Sequence, residues 1–254
     1  MTIPKPLFTR RTVLRTAAAG AAATMAPFIH AQGDRPVSLV VSYPAGGGAD
    51  LMARLIAPHL ATALGRSVVV ENRPGASGQI AAQAVAKAAP DGNTLLLDAS
   101  SFAVNPSLFA KLPYDSEKDF TPLGIVALFP NMLVCTPSYE ARTVKDVVRL
   151  AKAAPARIAY ASSGNGSAQH LAGALFEDRA GVQLVHVPYR GGGPALTDVM
   201  GGQVPLFFAN VASSLGHIQS GRLRPLGATS RRRARALADV PTMEEAGVPG
   251  YEVL

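Results

Sequence analysis

The sequence predicts an α/β chain folded as two lobes, each a largely parallel sheet wrapped by helices. Three observations predict it. Strand-like and helix-like stretches alternate along almost the whole chain. A long apolar run, Leu123 to Thr136, interrupts that alternation near its middle. Glycine-rich and serine-rich loops fall where the predicted strands end, which is where open sheets of this kind bind ligands.

The N-terminus reads as an address. Thr9 to Arg15 is basic and carries the pair Arg10-Arg11, Thr16 to Ile29 is alanine-rich and uncharged, and Ala31 offers a cleavage point before Gln32. Residues 1–31 are therefore expected to be an export signal, too short and too alanine-rich for a membrane span. The paired arginines suggest the twin-arginine route. Four bases and no acid leave with the signal, so the 24 bases fall to 20 against 17 acids and the formal charge from +7 to +3. Most of the support for a nucleic-acid partner goes with them. Arg231-Arg232-Arg233 with Arg235 then reads as a solvated face. Cys135 is the only cysteine, which excludes an internal disulfide, and its neighbours Leu133 and Val134 predict a buried, unreactive thiol. The product is expected in the periplasm.

A strand is predicted over 36–43 and a helix over 49–64, closed by Gly65, with Leu51, Leu55, Leu60 and Leu64 at helical spacing. A strand over 67–71, an alanine-rich helix over 79–88, the turn Pro90-Asp91-Gly92 and a strand over 94–98 complete a β-α-β-α-β run. After a proline-punctuated passage, 123–136 reads as a strand crossing between lobes at Pro130. The second alternation has helix 144–153 capped by Thr143, strand 157–161, helix 168–180 and strand 183–187. Helix 194–200, strand 204–208, a short helix near 213–220 and strand 223–229 follow, the last returning the chain to the first lobe. The expected division is 1–31 signal, 32–129 with 226–254 as lobe 1, and 130–225 as lobe 2. Two α/β lobes joined by crossing strands describe a venus-flytrap binding protein that closes by hinge motion.

The loop Pro44 to Asp50 lies between a strand and a helix N-terminus, where unpaired amides and the helix dipole attract anions. The amides of Gly47, Gly48 and Ala49 are the expected donors, and Asp50 is expected to brace the loop. Ser163-Gly164-Asn165-Gly166-Ser167 offers hydroxyls and bare amides before the next lobe's helix, with Ser167 also suited to an N-cap. Two such sites, one on each lobe, would hold a dicarboxylate at both ends. His170 either steadies that loop or touches ligand. Tyr189 and Arg190 precede Gly191-Gly192-Gly193, a further anion nest. Ser100, Ser101 and Asn210 are candidate wall residues.

Several ordered motifs identify a resemblance. They are Tyr43 to Asp50, Val70 to Gly78, Ala89-Pro90-Asp91-Gly92, Asn105-Pro106 with Leu112-Pro113-Tyr114-Asp115, Ala161 to Ser167 with His170, Val187 to Gly192, and Asp239-Val240-Pro241-Thr242. In this order they resemble the extracytoplasmic receptors of tripartite tricarboxylate transporters, the Bug family, over nearly the whole mature chain. The resemblance implies a type II periplasmic-binding-protein fold and a monomer that closes on a small carboxylate and passes it to membrane permease subunits. It adds Tyr43 to the expected ligand contacts. Members of that family continue several dozen residues past the position of Gly250-Tyr251, so the resemblance also implies either C-terminal truncation with an incomplete first lobe or a fold that closes differently. Many carry Asp-Asn where this chain has Ala209-Asn210.

Catalysis, cofactors and metals find no motif: G-x-S-x-G, Walker and complete G-x-G-x-x-G sequences are absent, and the five histidines lack metal-ligand spacing. Two rival functions keep a stated form. One is a ligand-sensing protein feeding a membrane sensor; the other is a hydrolase using Ser163 or Ser167 with His170. If Ser167 touches ligand, Ser167→Ala weakens binding and leaves the thermal melt unchanged.

Overall fold

The computed structural model describes residues 35–254; the predicted export signal lies outside them. The first sheet has the order β2-β1-β3, with β1 (Val37–Val41) central between β2 (Val68–Asn72) and β3 (Thr94–Leu97), all parallel. Four of the five β1 residues are buried, as expected of a central parallel strand covered on both faces. Helix α1 (Gly48–Leu64) follows β1 and stops at Gly65, whose left-handed backbone (φ 63°) turns its amide back onto Ala61 and Thr62. Helix α2 (Gln79–Ala86) precedes β3, and α3 (Ser101–Leu108) follows it.

The second sheet has the order β6-β5-β7-β4-β8. Strands β5 (Ala159–Ser162), β6 (Val185–Pro188) and β7 (Leu206–Asn210) are parallel, whereas β4 (Asn131–Cys135) runs antiparallel to both β7 and β8 (Arg224–Ala228). Helix α4 (Val144–Ala153) starts on a capping box in which Thr143 and Asp146 exchange hydrogen bonds. Helices α5 (Ala168–Ala180), α6 (Gly192–Met200) and α7 (Val211–Gln219) link the parallel strands and their neighbours. Cys135 is fully buried and free.

Three expectations need correction. The leucines of α1 do not face the sheet: Leu51, Leu55 and Leu64 are exposed, while Ala53 and Ala57 are buried. Alanines let a helix lie close against a sheet, so here the small side chains mark the inner face. Of the apolar run 123–136 only Asn131–Cys135 is strand. Leu123, Ile125, Val126 and Leu128 are 81, 79, 54 and 67% exposed, because no strand among the described residues pairs with them. Finally, 226–254 does not return to the first sheet. Strand β8 pairs with β4, and Met243, Val248 and Tyr251 are buried in one cluster with Tyr160, Phe176 and Phe208 of the second lobe. Two of the clustered arginines in this stretch are paired, Arg231 with Glu252 and Arg233 with Glu245.

Candidate functional site

The loop after β1 is built from within. Asp50 is buried at the start of α1 and receives the Gly46 amide at 2.9 Å, Asn72 Nδ2 at 2.9 Å and Arg54 Nε at 3.0 Å. Burial pushes its carboxyl up, but those hydrogen bonds, Arg54 first, outweigh it and hold the group below its ordinary range. Asn72 also donates to the Tyr43 carbonyl, tying β2 to the turn. Gly47 is the N-cap and has no side chain to offer. Its own amide is weakly engaged with Pro44 O at 3.4 Å. The amides of Gly48 and Ala49 find no acceptor among the described residues, so two of the three expected donors are free to meet an anion.

Gly48 and Ala49 line a cavity of about 460 Å³ between the two sheets. From the first lobe it is lined by Tyr43, Gly47, Gly48, Ala49 and Ser100, and from the second by Ser163 and Asn210. Asn210 caps α7 through its Oδ1 and lies against Gly48 closely enough that a Cβ there would come within 2.9 Å of it. A second cavity of about 230 Å³ shares Tyr43 and Ser163 with the first and adds Ser77, Asn165, Tyr189 and Arg190. The Tyr189 hydroxyl is committed to Asp198 at 2.7 Å.

Other expected site residues lie elsewhere. Ser101 is buried behind the wall and accepts from the Tyr43 hydroxyl at 2.9 Å. Gly166, Ser167, His170 and Gly191 line neither cavity. Ser167 caps α5, donating to Gly164 O at 2.7 Å and accepting from His170 N at 3.3 Å. His170 Nδ1 accepts from Gly166 N at 3.1 Å, and its ring stacks on His186 with centroids 4.1 Å apart. These contacts engage both side chains in the loop's own scaffold. The hydrolase pairing fails with them, because neither Ser163 nor Ser167 bonds the His170 ring. Ser167→Ala is therefore expected to cost about 0.5–2 kcal/mol of stability, lowering the melt by about 2–4 °C per kcal/mol, which differential scanning calorimetry reads directly.

The stacked pair also sets an acid limit. His186 bonds Ser162 Oγ at 2.6 Å. Burial pushes it down from 6.5 to about 4, and neighbouring His170 adds to the shift. As pH falls below 6.5 the unfolded chain takes up a proton that the folded chain refuses until about 4, so stability is lost across that window. Thermal melts are expected to drop between pH 7 and pH 5 at about 2–4 °C per kcal/mol, with a flatter slope in His186→Phe.

The sequence reading overlooked Asp98 and Asn131, which line the larger cavity, and the wall formed by Gly124 to Phe129. Asp98 carried a signal: it ends the otherwise apolar strand Thr94–Leu97 at the carboxyl edge. Among the described residues no group of three His, Cys, Asp or Glu side chains is placed to hold a metal.

Comparison with known proteins supplies a context for this geometry. Residues 52–254 match the family described as "Tripartite tricarboxylate transporter family receptor". The structure of Rhodopseudomonas palustris Rpa4515 with adipate superposes with a TM-score of 0.83 at 40% identity, over 86% of this chain and 73% of that one. The periplasmic binding protein BugD superposes with a TM-score of 0.82 at 36% identity, over 86% and 73%. MatC (Rpa3494) from Rhodopseudomonas palustris, with bound malate, gives 0.80 at 32% identity, over 86% and 75%.

Proposed function

Because this chain belongs to the tripartite tricarboxylate transporter receptor family, whose members are periplasmic solute-binding receptors rather than enzymes, we propose that it captures a dicarboxylate in the larger cavity and hands it to membrane permease subunits. The observation that carries the reading is the pair of free amides at Gly48 and Ala49, residues that line the cavity of about 460 Å³ together with Ser163 and Asn210. One carboxylate takes the helix N-terminus, where N–H groups and the dipole favour negative charge. The other end of the ligand meets the second lobe's hydroxyl and amide groups. Solved relatives hold adipate and malate, two diacids of different length, which supports the ligand class.

Each hydrogen bond to a charged group contributes about 1.5–3 kcal/mol, and association costs about 4–15 kcal/mol. Micromolar binding, about −8.2 kcal/mol, therefore requires several such bonds in a pocket largely formed beforehand. Calorimetry with adipate, malate and matched monocarboxylates tests the proposal. Saturable binding of a diacid is the expected result. Equal or stronger binding of uncharged diamides than of the diacids would end it.

A further inference from the structure

A buried carboxamide in the wall of the larger cavity goes unpaired. Asn131 opens β4, is 2% exposed and lines that cavity. Its backbone is held on both sides: the amide donates to Thr229 Oγ1 at 2.8 Å, and the carbonyl accepts from Thr229 N at 3.0 Å. The preceding Pro130 O accepts from Val211 N at 3.3 Å. The side chain is treated differently. Its Nδ2 is buried with no hydrogen-bond partner, and no hydrogen bond to a described residue holds Oδ1. Native interiors pair nearly all such groups, because an unpaired buried donor is costly. Thr229 fixes the main chain, whereas the last torsion of an asparagine is broad. The carboxamide can therefore turn its NH2 onto a ligand in the cavity.

The cavity has a use for such a donor. No Lys, Arg or His is found among the described residues that line it. Its one acidic side chain, Asp98, is occupied by donors of its own in Ser42, Ala99 and Ser101. The two charges of a diacid must then be met by neutral donors. Gly48 and Ala49 supply a pair of them at the start of α1. Asn131 belongs to the other lobe, directly opposite Asn210 across β4 and β7, and Asn210 is the residue lying against Gly48. Residues so opposed on antiparallel strands are about 4.5–5.5 Å apart at Cα, which sets Asn131 one strand beyond the Gly48 end. Asn210 Oδ1 is committed to capping α7, whereas the Asn131 carboxamide is uncommitted.

We infer that Asn131 is the specificity-determining residue for the ligand's far end, its NH2 donating to the second carboxylate of a diacid whose first carboxylate is held by Gly48 and Ala49. The inference rests on the receptor reading for its ligand. An uncharged donor at a fixed point past the first carboxylate rewards a second acceptor on the ligand, and so selects diacids over monoacids of the same length.

Calorimetry on the full chain tests the contact as a double-mutant cycle, with adipate against hexanoate, the same carbon chain without the second carboxylate. Asn131→Leu keeps the approximate volume and removes both polar ends. It is expected to weaken adipate by about 10- to 150-fold, the effect of one hydrogen bond to a charged group, and to leave hexanoate unchanged. Asn131→Asp, which keeps the shape and replaces the donor by an acceptor, should weaken adipate more than hexanoate and serves if the leucine variant does not fold. Malate against 2-hydroxybutyrate takes their place if wild type binds malate alone. The Asn131 side-chain NH2 signals in a 15N correlation spectrum, identified by their absence from Asn131→Asp, should move when the diacid saturates wild type. Unmoved signals, or equal losses for the diacid and its monoacid, would overturn the inference and leave the receptor reading standing. Wild type that binds neither adipate nor malate would overturn both.

Discussion

Gly191→Ala is expected to weaken diacid binding by about 5- to 150-fold, the equivalent of about 1–3 kcal/mol of overpacking. Gly191 holds φ +127°, a backbone that side chains rarely adopt, and a Cβ there would be driven into the ring of Pro44. Pro44 opens the anion loop of the first lobe, and Gly191 precedes α6 in the second. The clash is thus one between lobes, and the two loops escape it by separating. Separation leaves each sheet intact but widens the space between Gly48 and Asn210. Gly193→Ala is the matched control, since its Cβ would only reach ordinary contact, 3.8 Å from Ala45 O. Calorimetry with adipate on both variants checks the difference. Equal affinities would show that the Pro44 contact does not govern the cleft.

Gly173→Ala is expected to act on stability instead. This position lies in the buried face of α5, and an added Cβ would run into the Tyr160 ring. Tyr160 has no free direction in which to yield. It is fully buried, stacked on His186 and set edge-on to Phe208, while α5 is also held by the Tyr251 hydroxyl bonded to Ala172 O. Overpacking of this kind costs about 1–3 kcal/mol, sometimes more, so the melt should fall by about 2–12 °C at the 2–4 °C per kcal/mol typical of chains this size. Differential scanning calorimetry reads the change directly. A companion Gly173→Ala, Tyr160→Phe variant should recover only a small part, because removing the hydroxyl leaves the ring in place.

The alternation of elements was legible because it is written in local terms. Thr143 with Asp146, Ser167 and Gly65 each mark a helix end through hydrogen bonds that span at most four residues. The anion loop was legible for the same reason, since a glycine run between a strand and a helix leaves amides bare wherever the chain goes next. What escaped depends on partners distant in sequence. Whether Leu123 to Phe129 forms a strand is decided by a neighbouring strand, not by its own composition. The destination of Tyr251 is decided by space beside Ala172, 79 residues away. The roles of Ser167 and His170 were not separable in the sequence, because an N-cap and a ligand contact ask for the same residue types, and only the direction of each side chain separates them.

The single thiol follows from the same packing. Cys135 lies in β4, between β7 and β8, with no exposed surface, and burial pushes its pKa up. A thiol in that position is both un-ionised and out of reach, so an alkylating reagent meets it only when the central strand comes away from its neighbours. The chain therefore carries its own clock for global opening: the rate at which Cys135 is alkylated reads the population of unfolded molecules, without any label having been introduced.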